Sequence, residues 1–449
     1  MLPFLGLFLF LLVPSISRGK LHFIDVYLIF SLYFDAAIVL AGSQRVNFLY
    51  AQPMITLVYS IYYFSSRMGK MSVWDKKVLY PVLGFLFVIL FYPIIKGADI
   101  NQTVRSFSLN YSSLIMLPIA FHHYSTRGEI KNLFVVGGYF IILWTFIVMV
   151  YSFLRIDTLT RHGGTESFGL GLFYFGDMSR RGAISYMGLA LLLLPAILPA
   201  FSKQRKLILI TSSVIIGVIM LISMKRFSLI ALTLGMANYI ISAKVKILRK
   251  VSLAANVAIL IIPVFLFTNL TSMIVSAYYS RGAEKKISIE AMQEDLRFYE
   301  PLYIINYTIE GGITGMLMGR DIDDKMDIET EKYTLVDRTI HNQYGVYMLL
   351  FGFTGLVLYL LIYLRLYHIT RKFRRTLSII KGINFQYWLV FQNIVIIFLL
   401  GGIGGGHTHI TYRALVLIFA GGISGHYYKM LKERRNSSVP QSIVIPQSA

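Results

Sequence analysis

The sequence predicts an all-α polytopic integral membrane protein of about 13 transmembrane helices with one large extracytoplasmic loop in its second half. Three observations lead there. Only 14% of the 449 residues are charged and 56% are hydrophobic, with a mean hydropathy of +0.64, whereas a soluble domain carries about 25% charged residues. The apolar residues fall in repeated blocks close to the ~20 residues that cross a hydrocarbon core. Lys and Arg gather in every second loop between those blocks, the bias that sets orientation in a bilayer.

In chain order the candidate spans run over 2–17, 22–41, 47–64, 78–95, 107–121, 132–154, 183–201, 207–224, 227–243, 251–269, 343–364, 385–403 and 412–428. The first carries no charge from Met1 to Val13, and Arg18 and Lys20 follow it, so it reads as a retained span rather than a secretory signal. The second contains Asp25 and Asp35. Intramembrane carboxylates default to a functional hypothesis, although at 100° per residue these two stand about 80° apart on the helix. The fifth, over 107–121, is the shortest.

With Lys429, Lys432, Arg434 and Arg435 placed inside, the loops on that side hold 25 of the 43 basic residues and only Asp75, Glu129 and Glu433 oppose them. The net charge of +21 is then a consequence of topology and implies no nucleic-acid partner. The absence of cysteine removes disulfides, Cys-ligated zinc and thiol catalysis. The chain reads as a single membrane domain, 1–449, with a first external loop at 155–182 and a large one at 270–340. A tail at 436–449, rich in Ser, Pro and Gln, is expected to be disordered on the cytoplasmic side. The large loop holds 13 of the 22 acidic residues. Its stretch 283–310 mixes charges with Ile, Leu, Phe and Tyr at helical spacing, the pattern of an amphipathic helix lying on the membrane face.

Basic residues on the outer side stand out because positive-inside bias does not ask for them. Lys225 and Arg226 share a tight turn, Met224-Lys225-Arg226-Phe227-Ser228, between two spans. They serve either as a snorkelling pair at the headgroups or as a phosphate clamp, since guanidinium grips phosphate oxygens bidentately and ammonium adds a point charge. Arg297, in Asp295-Leu296-Arg297-Phe298-Tyr299, and Arg281 admit the same ligand role or a surface ion pair. At the return to the membrane stands Ile340-His341-Asn342-Gln343-Tyr344. There a neutral imidazole can take a proton from a hydroxyl while a neighbouring amide orients substrate or ring. A helix-start role is the plainer alternative for His341. His407 and His409, in the Gly-rich segment 401–413, lack a third ligand nearby and do not make a metal site.

Taken in order, the Arg226 turn, the Arg297–Gly319 segment and the His341-Asn342 start of the next span resemble the O-antigen polymerase and O-antigen ligase family of bacterial envelope polysaccharide assembly proteins. The likeness covers roughly 207–364. It departs from the family pattern at Phe227 and Ile340, where small residues are common, and lacks an acid before Gly352. The resemblance implies a multi-pass protein of the bacterial cytoplasmic membrane with an outward-facing site. It implies an inverting, metal-independent and cofactor-free glycosyl transfer from an undecaprenyl-diphosphate-linked glycan. His341 would be the base, and Arg226, Arg297, Lys225, Arg281, Asn342 and Tyr344 would hold substrate. A chain-length regulator and a flippase are the expected partners besides the lipid bilayer. Polymerase is the favoured reading. The alternatives are ligase-type transfer to another acceptor and a polysaccharide flippase or proton-coupled carrier using Asp25 and Asp35.

Overall fold

The computed structural model describes residues 22–40, 45–153, 169–170, 173–174, 190–223, 226–242, 296–321, 325–330, 333–339, 342–379, 382–403 and 410–437. The architecture is helical. Through the first half run α1 (Phe23–Leu40), α2 (Arg45–Arg67), α3 (Val73–Ile95), α4 (Ile100–Asn110), α5 (Met116–Thr126) and α6 (Ile130–Phe153). A two-stranded hairpin, β1 (Gly169–Leu170) and β2 (Phe173–Tyr174), precedes α7 (Leu194–Ile197), α8 (Lys203–Ser223) and α9 (Arg226–Ser242). Then come α10 (Leu296–Glu310), α11 (Gly312–Met318), a second antiparallel hairpin of β3 (Lys325–Thr330) and β4 (Tyr333–Thr339), α12 (Gln343–Thr376), α13 (Gly382–Ile403) and α14 (Ile410–Ser437).

Local chemistry sets the helix starts. Ser72 and Asp75 form a reciprocal capping box at the head of α3, with Ser72 Oγ accepting from Asp75 N–H at 3.2 Å and Asp75 Oδ2 accepting from Ser72 N–H at 2.7 Å. These contacts satisfy donors that the helix leaves open. Asp99 caps α4 by accepting from Gln102 N–H at 2.9 Å. α3 and α12 lie antiparallel: Lys96 reaches Leu350 O at one end, and Trp74 meets Phe373 edge-on with ring centroids 5.1 Å apart at the other. These ends are called below the Lys96 end and the Asp75 end. The tightest pairing is α5 against α14. A Cβ at Gly421 or Gly425 would fall 2.4 or 2.2 Å from the carbonyl oxygens of Leu117 or Phe121, so these glycines bring two backbones into contact as small residues do in membranes.

Four described helices are long and apolar enough to cross a membrane: Val73–Ile95, Ile130–Val150, Gln343–Thr376 and Gly382–Leu400. That supports a helical membrane protein, with fewer qualifying spans among the described residues than the thirteen expected. Two expected spans are broken for visible reasons. Over 107–121, α4 stops at Asn110, Tyr111 turns the chain, and a 3₁₀ segment, Ser112–Ile115, leads into α5. The polar run Ser106, Ser108, Asn110, Ser112 and Ser113 offers the backbone local partners, and Ser112 Oγ donates to Ser108 O at 2.6 Å. Over 183–201, the described part breaks into short 3₁₀ and α pieces around Pro195 and Pro199, which remove backbone donors.

The spans at 2–17 and 251–269 lie outside the described residues. The amphipathic stretch at 283–310 is described as helix from Leu296 on, and α14 continues to Ser437, past the expected start of the tail at 436. The second hairpin within 270–340 was not expected. Its signal is compositional: Tyr333, Thr334, Val336 and Thr339 are residue types enriched in strands. A register irregularity falls between Met326 and Ile328.

Candidate functional site

Of the residues proposed for chemistry, Arg226, Arg297, Asn342 and Tyr344 lie among the described residues. Arg226 opens α9 and Arg297 stands in the first turn of α10. α10 packs on α12, α9 packs on α13, and α12 packs on α13. Asn342 caps α12, its Oδ1 accepting from Tyr344 N–H at 3.0 Å. The preceding residue, His341, and the cations Lys225 and Arg281 lie outside the described residues. So do His407 and His409. Tyr344 donates its hydroxyl to Leu399 O near the end of α13, and its ring lies where a Cβ on Gly402 would stand 2.4 Å from Cζ. The head of α12 is thereby held against the end of α13. The phenol expected to touch substrate is engaged in that contact.

α12 is not continuous. Gly352 adopts φ 65°, ψ −168° within it, a left-handed value that a side chain would strain. A break of this kind releases carbonyls from the i to i+4 ladder. Here they find new donors: Leu349 O accepts from Arg320 N–H at 3.0 Å and Asp321 N–H at 3.3 Å, and Leu350 O accepts from Lys96 Nζ at 2.6 Å. Lys96 Nζ also donates to Asp321 O at 2.5 Å. Gly319, at φ 78°, lets the chain after α11 press into the break, where a Cβ would stand 2.3 Å from Leu349 O. Tyr307 adds to the joint. Its hydroxyl donates to Asp321 Oδ1 at 3.3 Å, Arg320 lies 3.8 Å over its ring, and Arg320 Nη1 donates to Tyr307 O at 2.8 Å. Lys96 is half-buried, and burial pushes its ammonium down to about 8 against the pull of Asp321.

Next to this joint is an aromatic layer. Tyr347 stands 4.4 Å from Tyr359, 5.3 Å from Phe85 and 6.1 Å from Tyr111, all between ring centroids. The buried Arg413, near the start of α14, lies within electrostatic range of Tyr347, Tyr111 and Tyr359, and its Nη2 donates to Leu109 O at 3.4 Å. Lys96 and Arg413 are cations that sequence reasoning did not single out. Lys96 was legible only as a basic residue on the face where positive-inside bias does not place one.

The Asp75 end holds a second cluster. His122 Nδ1 lies 3.2 Å from Asp75 Oδ1, and His123 Nε2 lies 3.7 Å from Asp25 Oδ1, all four side chains between 2% and 5% exposed. Adjacent residues on a helix point about 100° apart, so α5 addresses α3 with one histidine and α1 with the next. Asp25 also accepts from Tyr124 Oη at 2.6 Å and from His22 N–H at 2.7 Å, and Asp75 from Ser72 Oγ at 2.5 Å. His22, just before α1, stands edge-on to His123 with ring centroids 4.9 Å apart. Asp25, which the sequence suggests for transport, is here the centre of a tertiary link. The signal available was the His122-His123 pair closing an apolar run, with Asp25 and Asp75 near the same ends of neighbouring spans.

The sequence matches no protein-family model, and no characterised protein matches it.

Proposed function

We propose that this protein polymerises undecaprenyl-diphosphate-linked oligosaccharide repeats into a surface polysaccharide. In this reading it spans the bacterial cytoplasmic membrane many times, with 270–340 and the Lys96 end facing outward. The observation that carries the proposal is the packing of α10, led by Arg297, on α12, whose cap Asn342 directly follows His341. Residues far apart in sequence and suited to one reaction thus belong to touching helices.

In the reaction, the His341 imidazole takes the proton of the acceptor hydroxyl as that oxygen bonds the anomeric carbon. The bond from that carbon to the diphosphate oxygen breaks, and undecaprenyl diphosphate leaves. Arg226, Arg297, Lys225 and Arg281 are assigned to the negative charge that grows on the leaving group, the role of preorganised cations in such transfers. Asp25 is satisfied by three neighbours, which favours a structural role for it over proton-coupled carriage.

Deletion followed by sizing of the surface glycan tests the reading. Single-repeat chains are expected. Lost surface chains with accumulated lipid-linked polymer would instead indicate a ligase, and unaltered glycan would overturn both. In reconstituted protein, His341→Ala should lose a factor of about 10²–10⁴ in turnover while still binding donor. Arg226→Lys should be nearly as damaging as Arg226→Ala, because the bidentate fork is lost although the charge stays.

A further inference from the structure

We propose that Lys96 is a positioning residue that sets the orientation of the short helical head of α12 and, with it, the cap Asn342. The inference rests, for its catalytic consequence, on the reading of that head as the active site.

Three segments distant in sequence meet at one ammonium: the end of α3, the chain leaving α11 and the head of α12. The head runs from Gln343 to the break at Gly352. Below the break α12 continues as a long helix packed on α3, but above it the ladder of backbone bonds is interrupted. The angle of the head to the rest of α12 is therefore set by whatever binds the released carbonyls. Those groups are Arg320 N–H and Asp321 N–H on Leu349 O, and Lys96 Nζ on Leu350 O. Lys96 is the side chain among them that also grips the other partner, through Asp321 O. It ties both sides of the joint to α3.

Asp321, at the joint, precedes segment 322–341 in sequence, and Asn342, which follows that segment, caps the head of α12. Lys→Ala at position 96 would leave two carbonyls short of a donor in a half-buried site, a loss that is larger for a charged donor than for a neutral one. Among the described residues the charged group facing the ammonium is the Asp321 carboxylate, held by Tyr307, while the neighbouring Arg320 guanidinium lies over the Tyr307 ring and 3.7 Å from Glu310. As the ammonium loses its proton above about 8, charge-assisted donation weakens while the other contacts persist.

The test uses full-length protein in lipid nanodiscs with two readouts. Hydrogen exchange at the amides of Arg320 and Asp321 and across the head of α12 should quicken by about tenfold or more in Lys96→Met and stay slow in Lys96→Arg. With purified lipid-linked repeat, Lys96→Met should lower kcat by about tenfold or more with little change in donor KM. Wild-type turnover should decline as pH rises through about 8, whereas Lys96→Arg, which keeps its charge, should hold its rate across that range. Unchanged exchange in Lys96→Met overturns the proposal, as does faster exchange with undiminished kcat or the same pH profile in wild type and Lys96→Arg. A wild type that binds but never polymerises the donor sinks the polymerase reading, and exchange then decides whether Lys96 sets the head.

Discussion

At the scale of single residues, buried charged and polar groups hold helices together. Asp75 and His122 are the clearest pair, both nearly inaccessible and 3.2 Å apart. Removing one partner from a buried pair leaves the other uncompensated and costs about 3–5 kcal/mol. Asp75→Ala also loses the reciprocal half of the capping box, the bond from Ser72 N–H, while Ser72 Oγ still caps α3. We expect His122→Ala and Asp75→Ala each to unfold at markedly lower denaturant in detergent. The double variant should be less damaged than the singles added together, with a coupling of about 1–3 kcal/mol. Additive losses would show that the two side chains do not act as a pair. The pair was only half legible: a histidine dipeptide and two acids are visible in the sequence, but which carboxylate meets which imidazole depends on how α1, α3 and α5 are turned about their axes.

At the scale of elements, the glycines separate into those that bring backbones together and those that do nothing of the kind. Gly425 faces the carbonyl of Phe121 so closely that a Cβ would sit 2.2 Å away, whereas a Cβ on Gly217 in α8 would meet nothing within 4 Å. Gly425→Ala should therefore part α5 from α14 and cost about 1–3 kcal/mol, the range for overpacking. Gly217→Ala should be neutral or add about 0.5–1 kcal/mol, since Gly is the poorer helix former. Thermal unfolding in one detergent compares them directly, and equal midpoints for both variants would refute the close-packing argument. The break in α12 belongs at this scale too. Gly352 and Gly319 are unremarkable in an apolar, glycine-rich sequence, and only the contact of each with the other's backbone segment shows that they form one joint.

For the whole molecule, the charge asymmetry leads us to expect Asp323 on the outer side and Ser437 on the inner side. Because the chain has no cysteine, Asp323→Cys and Ser437→Cys are each the sole thiol in their variants. An impermeant thiol reagent applied to intact cells should label the first and spare the second. The opposite pattern would invert the orientation and remove the outward-facing site with it. Hydrophobic blocks and the placement of Lys and Arg were sufficient to read a helical membrane protein from sequence, because the bilayer imposes length and polarity on each segment independently of its neighbours. The same bias marked Arg226 and Arg297 as cations on the side that does not ask for them, and His341 was marked by its place at the return to the membrane. What lay beyond these signals was the pairing of elements: the break of α12 at Gly352, the ammonium of Lys96 bridging it, the splitting of 107–121 into α4 and α5, and the twin Asp–His links at the other end. These depend on contacts between residues far apart in the chain, where helix rotation and backbone approach decide which polar groups meet, and no local pattern encodes that choice.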